Sequence, residues 1–341
     1  MAKHAKIGLT ALLLSVLASP ASSAQPAPTG ALPRLILLGT AGGPIIRSKR
    51  SQPSNLLVVD GSAYMIDAGS GALQRLVQAG YKAQDVDAIF ITHHHLDHDG
   101  GVPDLVEFST IGQRSRPVDI IGPVGTRMQV GGAILSVAPS RKAFGDEGLI
   151  TSSDPKSIFR ARDIDPSGAE PVIFSDKNIK VTACENSHYR YLPVDTSDPS
   201  PQKSYGYRID TRYGAIFFTG DTGPDQRLAA CARGADTLVT EVIDLPSAVD
   251  FATRFFAYDA AGKARTAEHM ASEHMVPTEI GKLAAEAGVR RVVLTHFVPG
   301  EDKETNVNQY SDDIGKYFHG EIVVGNDLDV VEFGKPPSEG R

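Results

Sequence analysis

Short apolar runs recur along the chain, and most of them stop at a glycine or at a polar side chain. Runs of this length that end at turn-forming residues are typical of buried β-strands. Two of them, "NLLVVDG" and "AYMIDAG", are predicted to be consecutive strands joined by Asp60-Gly61. The other predicted strands are "RLILLGT", "VDAIFIT", "VDIIGP", residues 178–183, "SYGYRID", "AIFFTGD", "TLVTEVI" and "RRVVLTH".

Helical spacing of apolar residues comes later in each half of the chain. It is present in "ALQRLVQAGY", which closes at Gly80, and in "VGTRMQVGGAILSVA". It is also present in "PTEIGKLAAEAG", which leads directly into the strand "RRVVLTH". The chain therefore reads as a succession of strands in which helices are placed late in each half.

Two segments interrupt this order of elements. Residues 140–170 contain scattered Gly, Asp, Ser and Pro, which predict an insertion of loops and short pieces. Residues 250–270 are predicted to be helical and carry Phe251, Phe255, Phe256 and Tyr258. Core packing is the ordinary explanation for large aromatic side chains, and we favour it here. The alternative is a lid over a substrate site.

The first 24 residues have the order of a secretory signal peptide: Lys3 and Lys6, an apolar run over residues 7–17, and small residues up to Ala24. The apolar run is too short to span a bilayer. We expect cleavage near Ala24, a periplasmic or secreted protein and no membrane contact after cleavage; an uncleaved N-terminal anchor is the alternative. A Pro-rich linker over 25–33, one globular domain over 34–333 and a disordered tail over 334–341 would follow.

Charge limits the partners of the mature protein. Residues 1–24 hold two lysines and no acidic residue, so their removal takes the net charge from −7 to −9. Because neutralising many phosphates normally needs a basic face, long nucleic acids are not expected as partners, whereas small anions are not excluded. The two cysteines, Cys184 and Cys231, are far apart in sequence and could pair in an oxidising compartment.

The segment "ITHHHLDHDGG" gathers four of the chain's ten histidines within six positions, where the predicted strand "VDAIFIT" ends. Residues two apart in an extended segment face the same way, so His93 and His95 can face one metal ion while His94 points elsewhere. Asp97 and His98 fall at the start of the next turn, where they can reach a second ion, and the glycines at 100 and 101 let the backbone fold tightly. Neutral imidazole and carboxylate are ligands that zinc takes.

Three more strands deliver a histidine or an aspartate at or near their ends. His188 follows the strand over residues 178–183, Asp221 ends "AIFFTGD", and His296 ends "VVLTH". Each residue alone is more often an ordinary capping or core residue. Together with the histidine cluster they indicate a site with enough ligands for two metal ions.

These residues, in this order, resemble the metallo-β-lactamase superfamily. "HHHLDH" is similar to its H-x-H-x-D-H motif, and His188, "TGD" and "LTH" are similar to its later ligand positions. The resemblance covers residues 34–333, and it implies an α/β fold, an αββα four-layer sandwich of two mixed β-sheets with helices outside. Within the superfamily the chain is most similar to the ribonuclease Z-like and arylsulfatase branch, on the basis of "LGTAGGP", "DIIGP", "SYGYRID", "FFTGDTGP" and "AAEAGVRRVVLTH".

The resemblance also implies a role for each residue of the site. His93, His95 and His188 would hold one zinc ion, and Asp97, His98 and His296 the other; manganese or iron are the alternative metals. Asp221 would bridge both ions, and Asp67 would orient a ligand as an outer-sphere acid. Glu241 and His274 match the family's proton-donating pair only in part, because their flanking residues differ. His269 and His319 are expected to be surface residues.

The implied function is an exported binuclear zinc hydrolase that cleaves a small anionic ester, an aryl sulfate or a phosphodiester, by attack of a metal-bridged hydroxide. Asp97 would orient or deprotonate this nucleophile, and His274, held by Glu241, would protonate the leaving oxygen. Arg47, Lys49 and Arg50 could steer the anion, although a solvated loop explains them as well. The alternatives are a lactonase or another carboxylic ester or β-lactam hydrolase, an iron-dependent redox enzyme on the same fold, and a non-catalytic zinc protein. A homodimer is left open.

Overall fold

The computed structural model describes residues 31–112, 114–150, 154–165, 167–168, 171–190, 202–300 and 307–336. The predicted signal peptide, most of the linker and most of the predicted tail lie outside these residues. No helix within these ranges is long and apolar enough to cross a membrane.

Fourteen strands run through the described residues, and ten of them are the ones that the apolar runs predict. The strands are β1 (Arg34–Gly39), β2 (Ser54–Val59), β3 (Ser62–Ile66), β4 (Val86–Phe90), β5 (Val118–Gly122), β6 (Phe159–Asp163), β7 (Val172–Ser175), β8 (Ile179–Glu185), β9 (Tyr205–Thr211), β10 (Gly214–Phe218), β11 (Thr237–Ile243), β12 (Arg291–Val298), β13 (Glu321–Val324) and β14 (Val330–Glu332).

The described residues also form eleven α-helices, which lie between the strands in sequence. The helices are α1 (Ala72–Gln78), α2 (Leu96–Asp99), α3 (Val102–Ile111), α4 (Thr126–Ser136), α5 (Ala138–Asp146), α6 (Pro155–Ile158), α7 (Gln226–Ala232), α8 (Leu245–Phe255), α9 (Ala260–Glu273), α10 (Pro277–Ala287) and α11 (Val307–Gly315).

The strands form two mixed sheets of seven strands each, in the orders β14-β1-β2-β3-β4-β5-β6 and β13-β12-β11-β10-β9-β8-β7. The first sheet is antiparallel from β14 to β3 and parallel from β3 to β6. The second is antiparallel from β7 to β10 and parallel from β10 to β13. Each sheet therefore has a parallel half whose strands all end at one edge.

Three apolar clusters show how the layers stack. One lies between the sheets and contains Tyr64, Phe90 and Tyr207. A second covers the other face of the first sheet beneath α1, α3 and α4, and a third covers the other face of the second sheet beneath α7, α10 and α11. Successive residues of a strand face opposite sides, so strands buried on both faces read as continuous apolar runs. The order helix, sheet, sheet, helix confirms the αββα sandwich.

The prediction of loops and short pieces for residues 140–170 is wrong in one respect. Within this segment, residues 159–163 form β6, which pairs in parallel with β5 and ends the first sheet. Its side chains alternate between less and more exposed positions: Phe159 is buried and the next two on that face are half-buried, whereas Arg160 and Arg162 are exposed. Its sequence therefore lacks the continuous apolar run that marks the central strands.

The core-packing interpretation of the 250–270 aromatics is also wrong. The segment forms most of a hairpin of α8 and α9, and the exposed fractions of Phe255, Phe256 and Tyr258 are 57%, 51% and 42%. These rings pack on one another instead: Phe251 stacks on Phe255 at 5.7 Å, and Phe256 stacks on Tyr258 at 5.4 Å, between ring centroids. The lid interpretation stays a prediction.

Cys184 and Cys231 form a disulfide with a Cα–Cα separation of 6.5 Å. Cys184 lies in β8, next to the edge strand β7, and Cys231 lies in α7, so the bond ties the second sheet to the helix layer that covers it. Their spacing in sequence, 47 residues, could not show that the fold brings them together.

Candidate metal centre

The predicted ligands meet at one end of the sandwich because the strands that carry them end there. The histidine cluster follows β4 of the first sheet, while His188 and Asp221 follow β8 and β10 of the second. His296 lies within β12, two residues before it ends. The two sheets therefore supply the site jointly, as the positions at strand ends predict.

The local backbone separates the cluster into two sets of side chains. His95 has extended backbone (φ −88°, ψ 143°) and precedes α2, so Asp97 and His98 project from a helical turn. This turn packs tightly on the loop after β3: a Cβ atom at Gly69 would lie 2.0 Å from the Asp97 carbonyl oxygen. A Cβ atom at Gly101 would lie 2.5 Å from the Gly69 carbonyl oxygen. Close backbone approach explains the glycine at 101.

His93, His95 and His188 form the first group. Nδ1 of His95 lies 3.1 Å from His93 Nε2 and 3.2 Å from His188 Nε2. Burial lowers the pKa of His93 and His95 and lowers that of His188 to about 3. Neutral imidazoles whose nitrogens converge in this way are suited to bind a cation.

Asp97, His98, His296 and Asp221 form the second group. Nε2 of His296 lies 3.0 Å from Asp221 Oδ2 and 3.4 Å from Asp97 Oδ2. Nε2 of His98 lies 3.4 Å from Asp221 Oδ2 and 3.5 Å from Asp97 Oδ2. Asp221 Oδ2 also lies 4.0 Å from His93 Nε2, so Asp221 stands between the two groups.

Several buried atoms of the second group make no hydrogen bond with any residue that the structure describes. They are His98 Nε2, both ring nitrogens of His296, and Asp221 Oδ1. The close contacts of His98 and His296 with the carboxylates therefore lack hydrogen-bond geometry. Leaving such atoms buried without partners costs about 1–3 kcal/mol each. A divalent cation between them would satisfy His98 Nε2, His296 Nε2 and the Asp221 carboxylate, so the residues fit the metal that the donor set implies.

Neighbouring residues fix the orientation of the candidate ligands. His98 Nδ1 donates to Asp67 Oδ2 at 2.8 Å, and the Thr92 backbone N–H donates to Asp67 Oδ1 at 2.7 Å. The Gly43 backbone N–H donates to Asp97 Oδ2 at 2.8 Å, and His188 Nδ1 donates to the Glu273 carbonyl oxygen at 3.1 Å. Asp67 thus occupies the position expected of an outer-sphere acid, with His98 Nε2 left to face the second group.

Glu241 and His274 pair beside the two groups. Glu241 lies in β11, and its Oε2 accepts a hydrogen bond from His274 Nδ1 at 2.8 Å. The His274 ring lies 5.4 Å from the His188 ring and 6.1 Å from the His296 ring, between centroids. His274 is therefore next to a ligand candidate of each group. His269 and His319 are exposed, as expected.

The sequence reasoning missed Tyr189. Its ring contacts the rings of all three histidines of the first group, with centroid distances of 5.8 Å to His93, 5.4 Å to His95 and 5.0 Å to His188. Its place directly after a candidate ligand was the available signal. His94, by contrast, points away from both groups as predicted, and its Nδ1 donates to Asp99 Oδ2 at 2.8 Å.

Of the three basic residues after β1, Arg47, Lys49 and Arg50, two are held by contacts with other side chains. The Arg47 guanidinium lies 4.7 Å from the centre of the Phe251 ring and donates to the Pro299 carbonyl oxygen at 2.5 Å. Arg50 lies over Phe297 and donates to Thr40 Oγ1 at 3.0 Å, whereas the Lys49 side chain is exposed. Arg47 and Arg50 therefore do not belong to a simple solvated loop, and anion steering stays a prediction.

Comparison with known proteins shows a protein family and relatives that this chain resembles. The Beta-lactamase superfamily domain matches residues 62–297. Ribonuclease Z of Mycobacterium bovis is 30% identical over 311 residues, which cover 87% of this chain and 97% of that protein.

Two solved structures share the fold. The metallo-beta-lactamase fold protein YhfI from Bacillus subtilis aligns with a TM-score of 0.61 and 18% identity, over 89% of this chain and 100% of that chain. Human tRNase Z, short form, aligns with a TM-score of 0.58 and 20% identity, over 88% of this chain and 98% of that chain.

Proposed function

The chain belongs to the metallo-β-lactamase superfamily as a ribonuclease Z-like hydrolase, and we propose that it is an exported phosphodiesterase that binds two zinc ions and cleaves small anionic diesters. The observation that carries this proposal is the second group of donors. Its buried nitrogens and carboxylate oxygens approach within 3.0–3.5 Å without hydrogen bonds, and Asp221 connects it to the first group.

Each group has the donors for one divalent ion. His93, His95 and His188 would hold the first ion, and Asp97, His98 and His296 the second, with Asp221 shared between them. Zinc is proposed because imidazole and carboxylate are its ordinary ligands where no thiolate is present; both cysteines are joined in the disulfide. Manganese and iron are the alternatives that metal analysis would reveal.

The residues around the ions have distinct tasks in the proposed reaction. Divalent ions, when bound, lower the pKa of the attacking water and neutralise charge that develops on the ester oxygens. The Asp97 carboxylate, fixed by the Gly43 backbone N–H, orients this water and accepts its proton. His274 donates a proton from Nε2 to the leaving oxygen, while its Nδ1–H stays bonded to Glu241.

The relatives support the phosphodiester bond as the target. The Mycobacterium bovis protein is named ribonuclease Z and the human one tRNase Z, and these names conflict with our expectation that long nucleic acids are not partners. We nevertheless propose small diesters, because the chain without residues 1–24 has a net charge of −9. A phosphodiester is preferred to an aryl sulfate because the relatives' names concern nucleic acids.

Export is proposed from the N-terminal sequence and is supported by the disulfide, since disulfides persist mainly in oxidising compartments. Expression with residues 1–24 and N-terminal sequencing of the purified protein should give a chain that begins near residue 25. A cytoplasmic protein that keeps Met1 would contradict export without bearing on the metal site.

The function is tested by metal analysis followed by a substrate panel. The panel contains bis-nitrophenyl phosphate, nitrophenyl sulfate, a lactone and a cephalosporin, each measured with the same metal-loaded protein. We expect two zinc ions per chain and the highest kcat/KM on the phosphodiester. Efficient hydrolysis of the lactone or the cephalosporin without phosphodiester turnover would contradict the proposal and identify a lactonase or β-lactam hydrolase. Preferred turnover of the sulfate would identify an arylsulfatase.

A further inference from the structure

We propose that the Tyr189 hydroxyl is a substrate-binding hydrogen-bond donor that holds a non-bridging oxygen of the anionic ester at the His93–His95–His188 group. The inference rests on the proposed function for the identity of the ester. The position of the Tyr189 ring beside the three histidines does not depend on that function.

Tyr189 lies directly against the first group. Its ring meets the His93 and His95 rings nearly edge to face, at interplanar angles of 75° and 87°, and lies tilted by 44° on the His188 ring. The side chain is half-buried. An ester oxygen bound at the ion that these three histidines would hold would therefore lie beside the tyrosine ring.

The Tyr189 hydroxyl has no structural use in the part of the chain that the structure describes. Three of the other buried tyrosines have a partner for this group: Tyr64 donates to Asp176 Oδ2 at 2.6 Å, Tyr207 to the Ile91 carbonyl oxygen at 2.5 Å, and Tyr213 to Asp60 Oδ1 at 2.6 Å. No described residue hydrogen-bonds the Tyr189 hydroxyl. This oxygen is also not one of the fully buried side-chain atoms without a hydrogen-bond partner, so it is open to solvent. A solvent-accessible phenol beside the site is free to donate to a ligand.

Tyr189 and His274 have His188 as a common neighbour but differ in their other contacts. His274 is near both His188 and His296, so it stands where the two groups meet. Tyr189 contacts only the rings of the first group. The two donors therefore address different oxygens of one ester: His274 the leaving oxygen, which must gain a proton, and Tyr189 an oxygen that stays on the phosphorus.

A purely structural role for Tyr189 predicts a different result from the same variant. If the ring only supports the histidines, Tyr189→Phe keeps the aromatic contacts and changes nothing. If the hydroxyl binds substrate, Tyr189→Phe keeps the metal content and weakens the binding of an oxyanion. Tyr213→Phe is the matched control, because it removes a hydroxyl that bonds Asp60 on the other side of the fold.

The experiment compares wild type, Tyr189→Phe and Tyr213→Phe as zinc-loaded full-length mature proteins. Zinc content, binding of inorganic phosphate by calorimetry, and kcat and KM on bis-nitrophenyl phosphate are measured for each. We expect unchanged zinc content in all three. Tyr189→Phe should bind phosphate about tenfold more weakly and lose about 10- to 100-fold in kcat/KM, as expected for one hydrogen bond to a charged group, and Tyr213→Phe should resemble wild type.

Two results would overturn the inference. Wild-type phosphate affinity in Tyr189→Phe would show that the hydroxyl does not bind an oxyanion, and loss of zinc from this variant would show that the hydroxyl is needed for metal binding and not for binding the substrate. If wild type cleaved no phosphodiester, the proposed function would fail, but the phosphate-binding comparison would still decide the role of Tyr189.

Discussion

The half-buried His274 imidazole and the buried Glu241 carboxylate form a pair in which Nδ1 donates to Oε2 at 2.8 Å. The second carboxylate oxygen of Glu241 accepts the backbone N–H groups of Thr222 and Met275, at 3.0 Å and 3.2 Å. Burial raises the pKa of Glu241. Burial lowers the pKa of His274, but the Glu241 carboxylate and the nearby Asp221 carboxylate together more than offset this, so the pKa of His274 lies above its ordinary value.

The first prediction concerns the pH dependence of Glu241→Gln. A group that donates a proton works below its pKa, so wild-type kcat should fall as pH rises through the raised pKa of His274. The amide removes the negative charge that raises this pKa, so the fall in kcat should move to lower pH. At neutral pH we expect kcat to drop roughly 10- to 100-fold, as for other outer-sphere partners.

The measurement is a kcat against pH profile of wild type and Glu241→Gln, with zinc content determined for both. Glu279→Gln on α10, where the carboxylate pairs with Lys282 at the surface, is the matched control and should keep the wild-type profile. If kcat falls at the same alkaline pH in Glu241→Gln and in wild type, His274 is not the proton donor.

The second prediction concerns Asp221, which stands between the two donor groups. Asp221→Ala removes the shared ligand, so binding of two ions should be lost and activity should fall by more than the roughly 100-fold cost of changing an outer-sphere partner. The fold should persist, because the three apolar clusters that hold the sandwich do not include this residue.

Metal analysis, circular dichroism and turnover of bis-nitrophenyl phosphate check this expectation. Asp119→Ala, which removes a carboxylate paired with Arg160 near the surface of β5 and β6, is the control and should behave as wild type. Full turnover by Asp221→Ala would exclude a dinuclear mechanism.

The ligand candidates were predictable from sequence because each stands at a position that the strand pattern defines. His93 and His95 follow β4 in extended backbone, and residues two apart in such backbone share a face. His188, Asp221 and His296 lie at or near the ends of other strands, and strands of one sheet end at a common edge. The strand register and the family pattern together located the metal centre.

Features that depend on packing between distant segments were less accessible. The half-buried Phe251 ring packs on Phe255 of its own hairpin and beneath Arg47, which comes from a distant loop. No local sequence pattern shows these contacts. The strand at 159–163 has alternating burial at a sheet edge, so it lacks the apolar run on which the strand predictions relied. Tyr189 was overlooked because its role depends on three rings that only the fold brings around it.

The third prediction concerns the disulfide between β8 and α7. Closing a loop of 47 residues restricts the unfolded chain by about 4 kcal/mol in the chain-entropy description. The double variant Cys184→Ser/Cys231→Ser should therefore lose up to about this much in the free energy of unfolding. Urea unfolding with and without a reducing agent measures the loss, and the reducing agent should have no effect on the variant. An unchanged midpoint for reduced wild type would show that the bond does not stabilise the fold.

The fourth prediction separates this chain from relatives named for RNA. Binding of long RNA depends on neutralising many phosphates and weakens steeply with salt, whereas a small diester needs only the metal centre and the residues beside it. With a net charge of −9 after removal of residues 1–24, the protein should cleave bis-nitrophenyl phosphate but cleave a precursor tRNA poorly. Turnover of the small diester should change little between 50 and 200 mM salt, roughly the range over which a protein with 6–10 phosphate contacts loses 10³- to 10⁵-fold in affinity. Site-specific cleavage of precursor tRNA at a rate comparable with that of the small diester, with a steep salt dependence, would show that the protein is a ribonuclease despite its charge.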